Sequence, residues 1–353
     1  MTTKTDLARL PPHPDDVPWP TQEWPEGPLP ASADASALDR LMAAAFGPSS
    51  DPQLGETHAT LVVQHGKIVL ERYSNDFTAK STLPSWSKAK SITQALVGIL
   101  VREGKIDIHA PADVPEWQQA GDPRGKITLD QLLRMSSGLA FREEYSPDNP
   151  SDVIEMLWGT GKDDTGAFAA SFELAHAPDT HWSYASGTTN IVARCAARAL
   201  GTSGAGFETF MRRELFDPIG MTTAQPKFDA AGTFIGSSFC FATARDFARF
   251  GTLYLRGGVW DGKRVLPEGW VDYARTPTPQ TDAMIADEGA YGAHWWLGLG
   301  GPGSFSANGF EGQFTIVVPD LDLVLVRHGK TAADLGPNVK TWMAAVIDCF
   351  RQP

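Results

Sequence analysis

The sequence predicts an α+β protein in which an antiparallel sheet is flanked by helices and carries an inserted all-helical lobe. Two observations favour this class: a β-hairpin pattern occurs before residue 75, and four strand-like segments follow one another after residue 290. Between them the apolar residues recur mostly at helical spacing. The composition, with 42% hydrophobic and 20% charged residues over 353 positions, is that of a globular chain long enough to bury a sizeable core.

The proline-rich N-terminal segment and the position of the predicted strands indicate a division of the chain into three units. Prolines recur through the first segment and prevent a regular helix or central strand, so we expect an extended strap that Trp19 and Trp24 pin to the body. The expected units are the strap at residues 1–34, a sheet lobe at residues 35–110 and 235–353, and a helical lobe at residues 111–234, with the site between the lobes.

The first elements of the sheet lobe have distinct patterns. "SALDRLMAAAFG" has apolar residues at helical spacing and ends at Gly47. "ATLVVQHGKIVLERY" predicts two strands joined by a polar turn at Gly66. "SITQALVGILVREGK" is apolar on nearly all sides and stops at Gly104, which predicts a buried helix.

The middle and the end of the chain alternate between helices and strands. In "ITLDQLLRMSSGL", Thr128 and Gln131 have capping-box spacing, and Thr243 is placed to cap "TARDFARFGTLYLRGG". Helices are also expected at "TTNIVARCAARALG" and "FETFMRRELFDPIGM". The predicted C-terminal strands are "AHWWLGLG", "GSFSANGF", "QFTIVVP" and "LDLVLVRHGK", followed by a helix at "NVKTWMAAVIDCF".

Charge and cysteine usage limit the partners. A net charge of -12 argues against nucleic acid or an anionic membrane as a partner, and leaves a small-molecule substrate. The N-terminus lacks the apolar core of a signal peptide, and no apolar run approaches the ~20 residues that span a bilayer, so we expect a cytoplasmic protein. Cys195, Cys240 and Cys349 are far apart, which predicts reduced, buried thiols. Oligomeric state stays open.

Several motif matches do not predict a function. "GLGGPG" fits a dinucleotide-binding pattern but lies between predicted strands, contains Pro302 and opens no helix. "GKT" at residues 329–331 lacks the upstream glycine of a phosphate loop. The sequence contains neither an HExxH metal motif nor a G-x-S-x-G nucleophile elbow. No metal or organic cofactor is therefore predicted.

Two overlapping Ser-x-x-Lys pairs in "PSWSKAKSITQALVGIL" are the candidates for chemistry. Ser85 precedes Lys88 and Ser87 precedes Lys90 by one helical turn, at the start of the buried helix. There, free N–H groups and the helix dipole favour developing negative charge. A lysine acting as base must be neutral, which requires burial or a neighbouring cation to lower its pKa. The alternative is a solvated helix-start charge, which we favour for Lys88.

Resemblance separates the two pairs. "WSKAKSITQALVGILVREGKIDI" resembles the first motif of the serine β-lactamase and penicillin-binding-protein superfamily. It is most similar to the class C-like branch with family VIII carboxylesterases, D-aminopeptidases and 6-aminohexanoate-oligomer hydrolases. The resemblance spans about residues 55–350 and implies a β-lactamase/transpeptidase-like fold. The further segments that carry it are "ITLDQLLRMSSGL", "HWSYASGTTNIV", "GSSFCFATARDFARFGTLYLRGGVWDGKRVLPEGW" and "SANGFEGQFTIVVPDLDLVLVRHGK".

The resemblance implies acyl transfer through a covalent acyl-serine. It aligns Ser87 with the nucleophile and Lys90 with its base, and makes Tyr184 the proton donor to the leaving group. Whether Lys90 or Tyr184 is the initial base stays open, and without the resemblance a hydrogen-bonded core tyrosine is the ordinary interpretation. The backbone N–H groups of Ser87 and Phe310 are expected to form the oxyanion hole.

The second and third motifs depart from the family pattern. Ser186 stands where many relatives have Asn, and is expected either to hydrogen-bond Lys90 or a substrate carbonyl, or to cap the following helix. The third motif reads Ala307-Asn308-Gly309 in place of Lys-Thr-Gly or His-x-Gly. The cation that meets a substrate carboxylate is missing there, which weakens β-lactamase and carboxypeptidase hypotheses. Ser186, Asn308 and Gly309 are the expected substrate-binding residues.

An ester hydrolase for fairly neutral acyl substrates fits this departure best. Among Trp295, Trp296, Phe305 and Phe310, about half are expected to line an apolar acyl pocket and the rest to pack within the sheet. The sequence therefore predicts a serine carboxylesterase. An amide hydrolase of the D-aminopeptidase or oligoamide type, or a weak β-lactamase, is the alternative. A non-catalytic binding protein with the same fold is a remoter one.

Overall fold

Strands from both ends of the chain build one sheet. The computed structural model describes residues 7–47, 50–144 and 151–351. Within them the strands are β1 (Glu56–Gln64), β2 (Lys67–Tyr73), β3 (Gln225–Pro226), β4 (Cys240–Phe241), β5 (Val259–Trp260), β6 (Lys263–Arg264), β7 (Ala290–Tyr291), β8 (Trp296–Leu297), β9 (Phe305–Gly309), β10 (Gln313–Val318) and β11 (Leu323–Lys330).

The central sheet has seven antiparallel strands in the order β2-β1-β11-β10-β9-β8-β7. The first strand of the chain, β1, pairs with the last, β11, so that Leu61 lies opposite Val326. The β1–β2 hairpin turns at His65 and Gly66, which both have positive φ, 49° and 77°. The predicted α+β class with an antiparallel sheet is therefore confirmed. The ladders β3–β4 and β5–β6 lie outside this sheet.

The helices of the described residues are α1 (Ala35–Phe46), α2 (Ala89–Arg102), α3 (Leu129–Leu133), α4 (Asp152–Trp158), α5 (Thr165–Ala170), α6 (Ser186–Leu200), α7 (Ala205–Met211), α8 (Ala244–Leu255), α9 (Trp270–Arg275), α10 (Asp282–Glu288) and α11 (Gly336–Asp348). Helices cover both faces of the sheet, with α1 and α11 on one face and α2 and α8 on the other.

Strand β11 is buried on both faces, because helices cover each side of the sheet. Leu323 and Leu325 belong to the apolar cluster with α1 and α11, whereas Val324 and Val326 belong to the larger core with α2 and α8. This alternation follows from the two-residue period of a strand. A continuous apolar strand such as "LVLV" is the pattern expected for a strand covered on both sides.

Several predicted boundaries match local signals in the chain. Thr128 and Gln131 form a complete capping box at α3, and the Thr243 hydroxyl accepts a hydrogen bond from the Asp246 N–H at the start of α8. The strand predicted at "AHWWLGLG" is shorter than expected, since only β8 is extended there. His294 has a φ of 57°, a left-handed conformation that interrupts the strand direction.

Helix α2, which leads out of the Ser-x-x-Lys region, runs through the core. All its residues from Ala89 to Leu100 are buried. Gly98 allows the Trp270 ring to lie against the helix, since a Cβ at Gly98 would lie 2.3 Å from Trp270 Nε1. That indole N–H donates to the Gln94 carbonyl at 3.2 Å. The middle of α2 is thereby joined to the start of α9.

Residues 7–34 precede α1, and two tryptophans of this segment contact distant parts of the chain. Trp24 is buried, and its indole N–H donates to the Arg245 carbonyl at 3.1 Å. Trp19 packs against Trp260 with ring centroids 5.1 Å apart. Both tryptophans therefore join the strap to distant parts of the chain.

The three cysteines are buried free thiols, and burial raises the pKa of Cys195 and of Cys240 to about 12. No helix within residues 7–47, 50–144 or 151–351 has the length and apolar character to cross a bilayer.

Candidate active site

Ser87 lies on a tight turn, Trp86–Lys88, which leads directly into α2. Trp86 has a φ of 43°, a conformation that is uncommon and strained for a bulky residue. Its indole N–H donates to Glu311 Oε2 at 3.2 Å, and its ring meets Phe310 edge-on at 5.7 Å. These contacts join the Ser87 turn to the segment that follows β9.

Lys90 reaches from the first turn of α2 back to Ser87. Its Nζ lies 2.9 Å from Ser87 Oγ, 2.9 Å from Ser186 Oγ and 3.0 Å from the Ser237 carbonyl oxygen. The Lys90 side chain is almost completely buried. Ser186 is the first residue of α6, so the Ser87–Lys90 pair is held between two helix N-termini.

The electrostatic surroundings of Lys90 favour a neutral amine. Burial lowers the pKa of Lys90 to about 8, and the Glu143 carboxylate opposes that shift. His294 on another element adds no positive charge near neutral pH, because burial lowers its pKa to about 3. An appreciable fraction of Lys90 is therefore available as a base at neutral to mildly alkaline pH.

Tyr184 lies beside Lys90, two residues before Ser186. The Lys90 ammonium nitrogen is 4.7 Å from the centroid of the Tyr184 ring. The ring also packs against Trp296 at 5.2 Å and Tyr291 at 5.9 Å. The structure thus brings Ser87, Lys90, Tyr184 and Ser186 together.

The third motif runs directly against the Ser87 turn. A Cβ on Gly309 would lie 2.4 Å from the Ser85 carbonyl oxygen, so only glycine permits this approach of β9. Asn308, Gly309 and Phe310 all line the same cavity as Ser87. Among the described residues, Asn308 Oδ1 has no hydrogen-bond partner although it is shielded from solvent.

Gly309→Ala is expected to lower kcat/KM roughly 10- to 100-fold, because the added Cβ displaces β9 from the Ser87 turn. Ester turnover together with thermal unfolding checks this result. Gly27→Ala is the matched control, since its Cβ would meet only the Lys67 side chain, and it should retain activity. Full activity in a folded Gly309→Ala variant would contradict the expected role of this approach.

A cavity of about 730 Å³ opens above Ser87 and Tyr184. Its described lining carries more negative than positive charge. The charged lining residues are the glutamates Glu143, Glu144, Glu288 and Glu311 and the cations Arg142 and Lys340.

The second Ser-Lys pair lies away from this cavity. Ser85 is buried, where its hydroxyl donates to the Ser238 carbonyl at 3.1 Å and accepts from the Cys240 N–H at 2.9 Å. The expectation of a solvated Lys88 is wrong: its side chain is 1% exposed and its Nζ lies 3.0 Å from His328 Nε2. The turn directs Lys88 towards the sheet, so that burial holds its pKa well below the usual value.

Two further expectations are refined by the structure. Ser186 does not cap α6, whose N-cap is Ala185, since the Ser186 hydroxyl donates to Glu143 Oε1 at 2.6 Å. Of the four aromatic residues, Trp296 and Phe310 line the cavity, whereas Trp295 and Phe305 are buried and pack against each other at 5.2 Å.

Sequence reasoning missed two groups that contact the Lys90 network. Glu143 binds Ser186 through both carboxylate oxygens, and its only sequence signal is a pair of glutamates after "SSGLAFR". The Ser237 carbonyl has no side-chain signal, because any residue supplies it. Asn190 fixes its position by accepting from the Ser237 N–H at 3.0 Å. In the described part of the chain, no three or more His, Cys, Asp or Glu side chains are grouped as metal ligands.

Comparison with known proteins agrees with this architecture. The Beta-lactamase family model matches residues 56–346. The 6-aminohexanoate-dimer hydrolase of Paenarthrobacter ureafaciens is 27% identical over 312 residues, which cover 84% of this chain and 78% of that protein. A Bacillus anthracis protein provisionally named a 6-aminohexanoate-dimer hydrolase superposes with a TM-score of 0.73 at 22% identity, covering 98% of this chain and 92% of the other. A family VIII carboxylesterase superposes with a TM-score of 0.68 at 16% identity, covering 92% of this chain and 99% of the other. The chain belongs to the beta-lactamase family and is a serine hydrolase.

Proposed function

We propose that the protein cleaves ester bonds of small substrates through an acyl-enzyme on Ser87, as a carboxylesterase. The observation that carries the proposal is the 2.9 Å contact between Ser87 Oγ and the buried Lys90 Nζ. A serine hydroxyl is a weak nucleophile until a neighbouring base takes its proton. Lys90 is buried, and its lowered pKa of about 8 suits that task.

In the proposed reaction, Ser87 Oγ attacks the substrate carbonyl carbon while its proton passes to Lys90 Nζ. The oxyanion accepts hydrogen bonds from the backbone N–H groups of Ser87 and Phe310, which both line the cavity. Tyr184 passes a proton to the leaving group as the bond to it breaks. Water then attacks the acyl carbon, and the same groups return the proton to Ser87. The position of Tyr184 beside Lys90 and at the cavity wall supports this role.

The apolar part of the cavity supports an acyl group as one portion of the substrate. Trp296 and Phe310 line the cavity together with Ser87, and Phe310 is 44% exposed. Aromatic rings of this kind bind aliphatic or aromatic acyl chains by removing apolar surface from water. The missing third-motif cation disfavours substrates that depend on a carboxylate there.

An amide hydrolase is the second candidate, and the cavity charges favour it. Four glutamates against two cations make the lining net negative, which suits a substrate carrying an ammonium group. Asn308 Oδ1, unpartnered among the described residues, is placed to accept a hydrogen bond from a substrate N–H. The Paenarthrobacter ureafaciens relative is named a 6-aminohexanoate-dimer hydrolase, which is consistent with this candidate.

The expected result of a substrate test is hydrolysis of p-nitrophenyl esters with a clear optimum in acyl-chain length, and labelling of Ser87 by a fluorophosphonate. Mass spectrometry of the labelled peptide identifies the modified serine. D-amino-acid amides, the 6-aminohexanoate dimer and nitrocefin are assayed in parallel. Turnover of the amine-bearing amides above the esters would establish the second candidate.

Two outcomes would contradict the proposal. A folded wild-type protein that neither reacts with the fluorophosphonate nor turns over any substrate would support a non-catalytic binding role. Nitrocefin turnover far above ester turnover would indicate a β-lactamase. Glu288→Gln separates the two hydrolase candidates, because lowering the negative charge of the cavity should weaken binding of amine-bearing amides more than of neutral esters.

A further inference from the structure

The Ser186 hydroxyl lies between Lys90 and the Glu143 carboxylate. Ser186 Oγ is 2.9 Å from Lys90 Nζ and donates to Glu143 Oε1 at 2.6 Å. The Ser186 N–H donates to the other carboxylate oxygen at 2.7 Å. A carboxylate accepts hydrogen bonds and donates none, so both donors of Ser186 are committed to Glu143. Only an oxygen lone pair of Ser186 is left for Lys90.

This arrangement determines the direction of the other hydrogen bonds of Lys90. The Ser237 carbonyl, 3.0 Å from Nζ, can only accept. Ser186 is also restricted to accepting from Lys90, because its proton is held by Glu143. A neutral amine has two N–H donors and one lone pair, and these two acceptors use both donors. The lone pair is then directed at Ser87 Oγ, the remaining partner at 2.9 Å.

We infer that Glu143 is a positioning residue of the reaction: by fixing the Ser186 hydroxyl proton, it reserves the lone pair of neutral Lys90 for the Ser87 hydroxyl. The inference rests on the proposed acyl transfer with Lys90 as base. When Ser87 Oγ bonds to the carbonyl carbon, its proton moves to Lys90 Nζ. The resulting ammonium has three donors: two remain on Ser186 and Ser237, and the third passes the proton to Tyr184, which protonates the leaving group as its bond breaks.

Without Glu143 the same network has a competing arrangement. A Ser186 hydroxyl that is free to rotate can donate its proton to the Lys90 lone pair. Lys90 would then direct an N–H towards Ser87 Oγ, and the Ser87 proton would have no acceptor at Nζ. The two arrangements have the same heavy-atom positions and differ only in where the protons lie. The carboxylate selects the one that can react.

The charge of Glu143 has an additional, opposite effect on Lys90. Its carboxylate holds the pKa of Lys90 higher than burial alone would. Two further groups face Lys90: the Tyr184 ring, whose centroid lies 4.7 Å from Nζ, and His294, whose pKa burial lowers to about 3. Around Glu143 itself, burial raises the pKa of Glu288, and Asp287 and Glu143 raise it further.

The Tyr291 hydroxyl also lies under the influence of Glu143, with its pKa raised well above the usual value by burial and by that carboxylate. Tyr291 therefore stays neutral over the range in which Lys90 titrates. Comparison of Glu143→Gln with Glu143→Asp, which keeps the negative charge, therefore isolates the effect of the Glu143 charge on the pH profile.

The test is the pH dependence of kcat/KM for a p-nitrophenyl ester. In the wild type the acid limb should lie near pH 8, where Lys90 loses its proton. Glu143→Gln should move this limb to lower pH by roughly one unit, because a negative charge near the ammonium is removed. The same substitution should lower the alkaline plateau roughly tenfold, because the glutamine amide no longer fixes the Ser186 proton. Glu143→Asp, which keeps the charge, should leave the limb near its wild-type position.

A double substitution separates positioning from a structural effect. Glu143→Gln and Ser186→Ala should each lower the plateau, but the double variant should be no slower than the slower single variant, because both act through one hydroxyl. Glu173→Gln is the charge control. Its side chain is 84% exposed, and its backbone pairs with Ala140 near the Glu143 loop, so the limb and plateau should not move.

Each outcome decides between the inference and the proposed function. A wild type without turnover or fluorophosphonate labelling at Ser87 overturns the proposed function. A labelled, active wild type whose acid limb and plateau are both unchanged in Glu143→Gln overturns only the inference, as do fully additive losses in the double variant. If Glu143→Gln does not fold, Ser186→Ala decides. An unchanged alkaline plateau of kcat/KM in Ser186→Ala overturns the inference. A plateau that falls in Ser186→Ala and recovers in Ser186→Thr supports it.

Discussion

Replacing Ser87 with alanine should abolish turnover, with a loss of at least about 10⁴-fold in kcat, while leaving the fold intact. The substitution removes the atom that would form the acyl bond, and Ser87 lies partly exposed at the cavity 2.9 Å from Lys90 Nζ. The Ser87 hydroxyl contacts Lys90 at the cavity, so its removal should leave the hydrogen bonds within the core unchanged. The measurement is single-turnover and steady-state ester hydrolysis, with fluorophosphonate labelling of the same preparations.

The matched control is Ser85→Ala, which changes the other serine of the overlapping motif. Ser85 is fully buried and holds the Cys240 N–H and the Ser238 carbonyl. Its loss should lower the free energy of unfolding by about 1–3 kcal/mol, because a buried N–H is left unsatisfied. Turnover should persist in the folded variant. Loss of all turnover in Ser85→Ala, with activity retained in Ser87→Ala, would reverse the assignment of the nucleophile.

Replacing Lys90 with methionine should lower kcat/KM by roughly 10³-fold or more, since it removes the base and one of the groups that polarise Ser87. Methionine fills a similar volume, so the buried turn of α2 should keep its packing. The measurement is ester hydrolysis across the pH range. The acid limb near pH 8 should disappear together with the activity if Lys90 is the titrating group.

Lys88→Met provides the contrast, because Lys88 is equally buried but contacts His328 and the Phe247 ring, 3.4 Å from Nζ to centroid. Activity should be retained and the free energy of unfolding at pH 7 should rise by about 2 kcal/mol. Burial holds the pKa of Lys88 well below normal in the folded state. Lys88 therefore binds a proton less readily in the folded chain than in the unfolded chain, so unfolding is accompanied by proton uptake and the wild type gains stability as pH rises towards the unfolded-state pKa.

The gain from Lys88→Met should shrink as pH rises towards about 10.4, where the lysine of the unfolded chain also becomes neutral. Urea unfolding at pH 7 and at pH 10 measures this difference. A variant that loses activity while its stability rises would indicate that Lys88, not only Lys90, contributes to the reaction. An unchanged stability at both pH values would show that the Thr315 and His328 contacts offset the burial cost of Lys88.

The elements that could be predicted from sequence are those specified by local patterns. The β1–β2 hairpin follows from alternating apolar residues and Gly66, and the capping of α3 follows from Thr128 and Gln131. The nearness of Ser87 and Lys90 follows from their separation by one helical turn. Tyr184 and Ser186 required the family resemblance, since a sequence distance of about a hundred residues carries no spacing rule.

The environment of Lys88 could not be predicted, because it depends on which element packs against the start of α2. The direction of its side chain follows from the Trp86–Lys88 turn, and its surroundings come from β10, β11 and α8. Glu143 was missed for a similar reason: its partner Ser186 lies on a helix that begins 43 residues later. Contacts between distant segments decide both cases, and no local periodicity encodes them.

The central position of β11 also has a consequence for synthesis on the ribosome. Residues 323–330 lie between β1 and β10 and pair with a strand that is translated some 270 residues earlier. Until they emerge, the β1–β2 hairpin has an unpaired inner edge of the kind that promotes association between chains. A nascent chain must therefore keep this edge protected until β11 is released, and only then can the central sheet close.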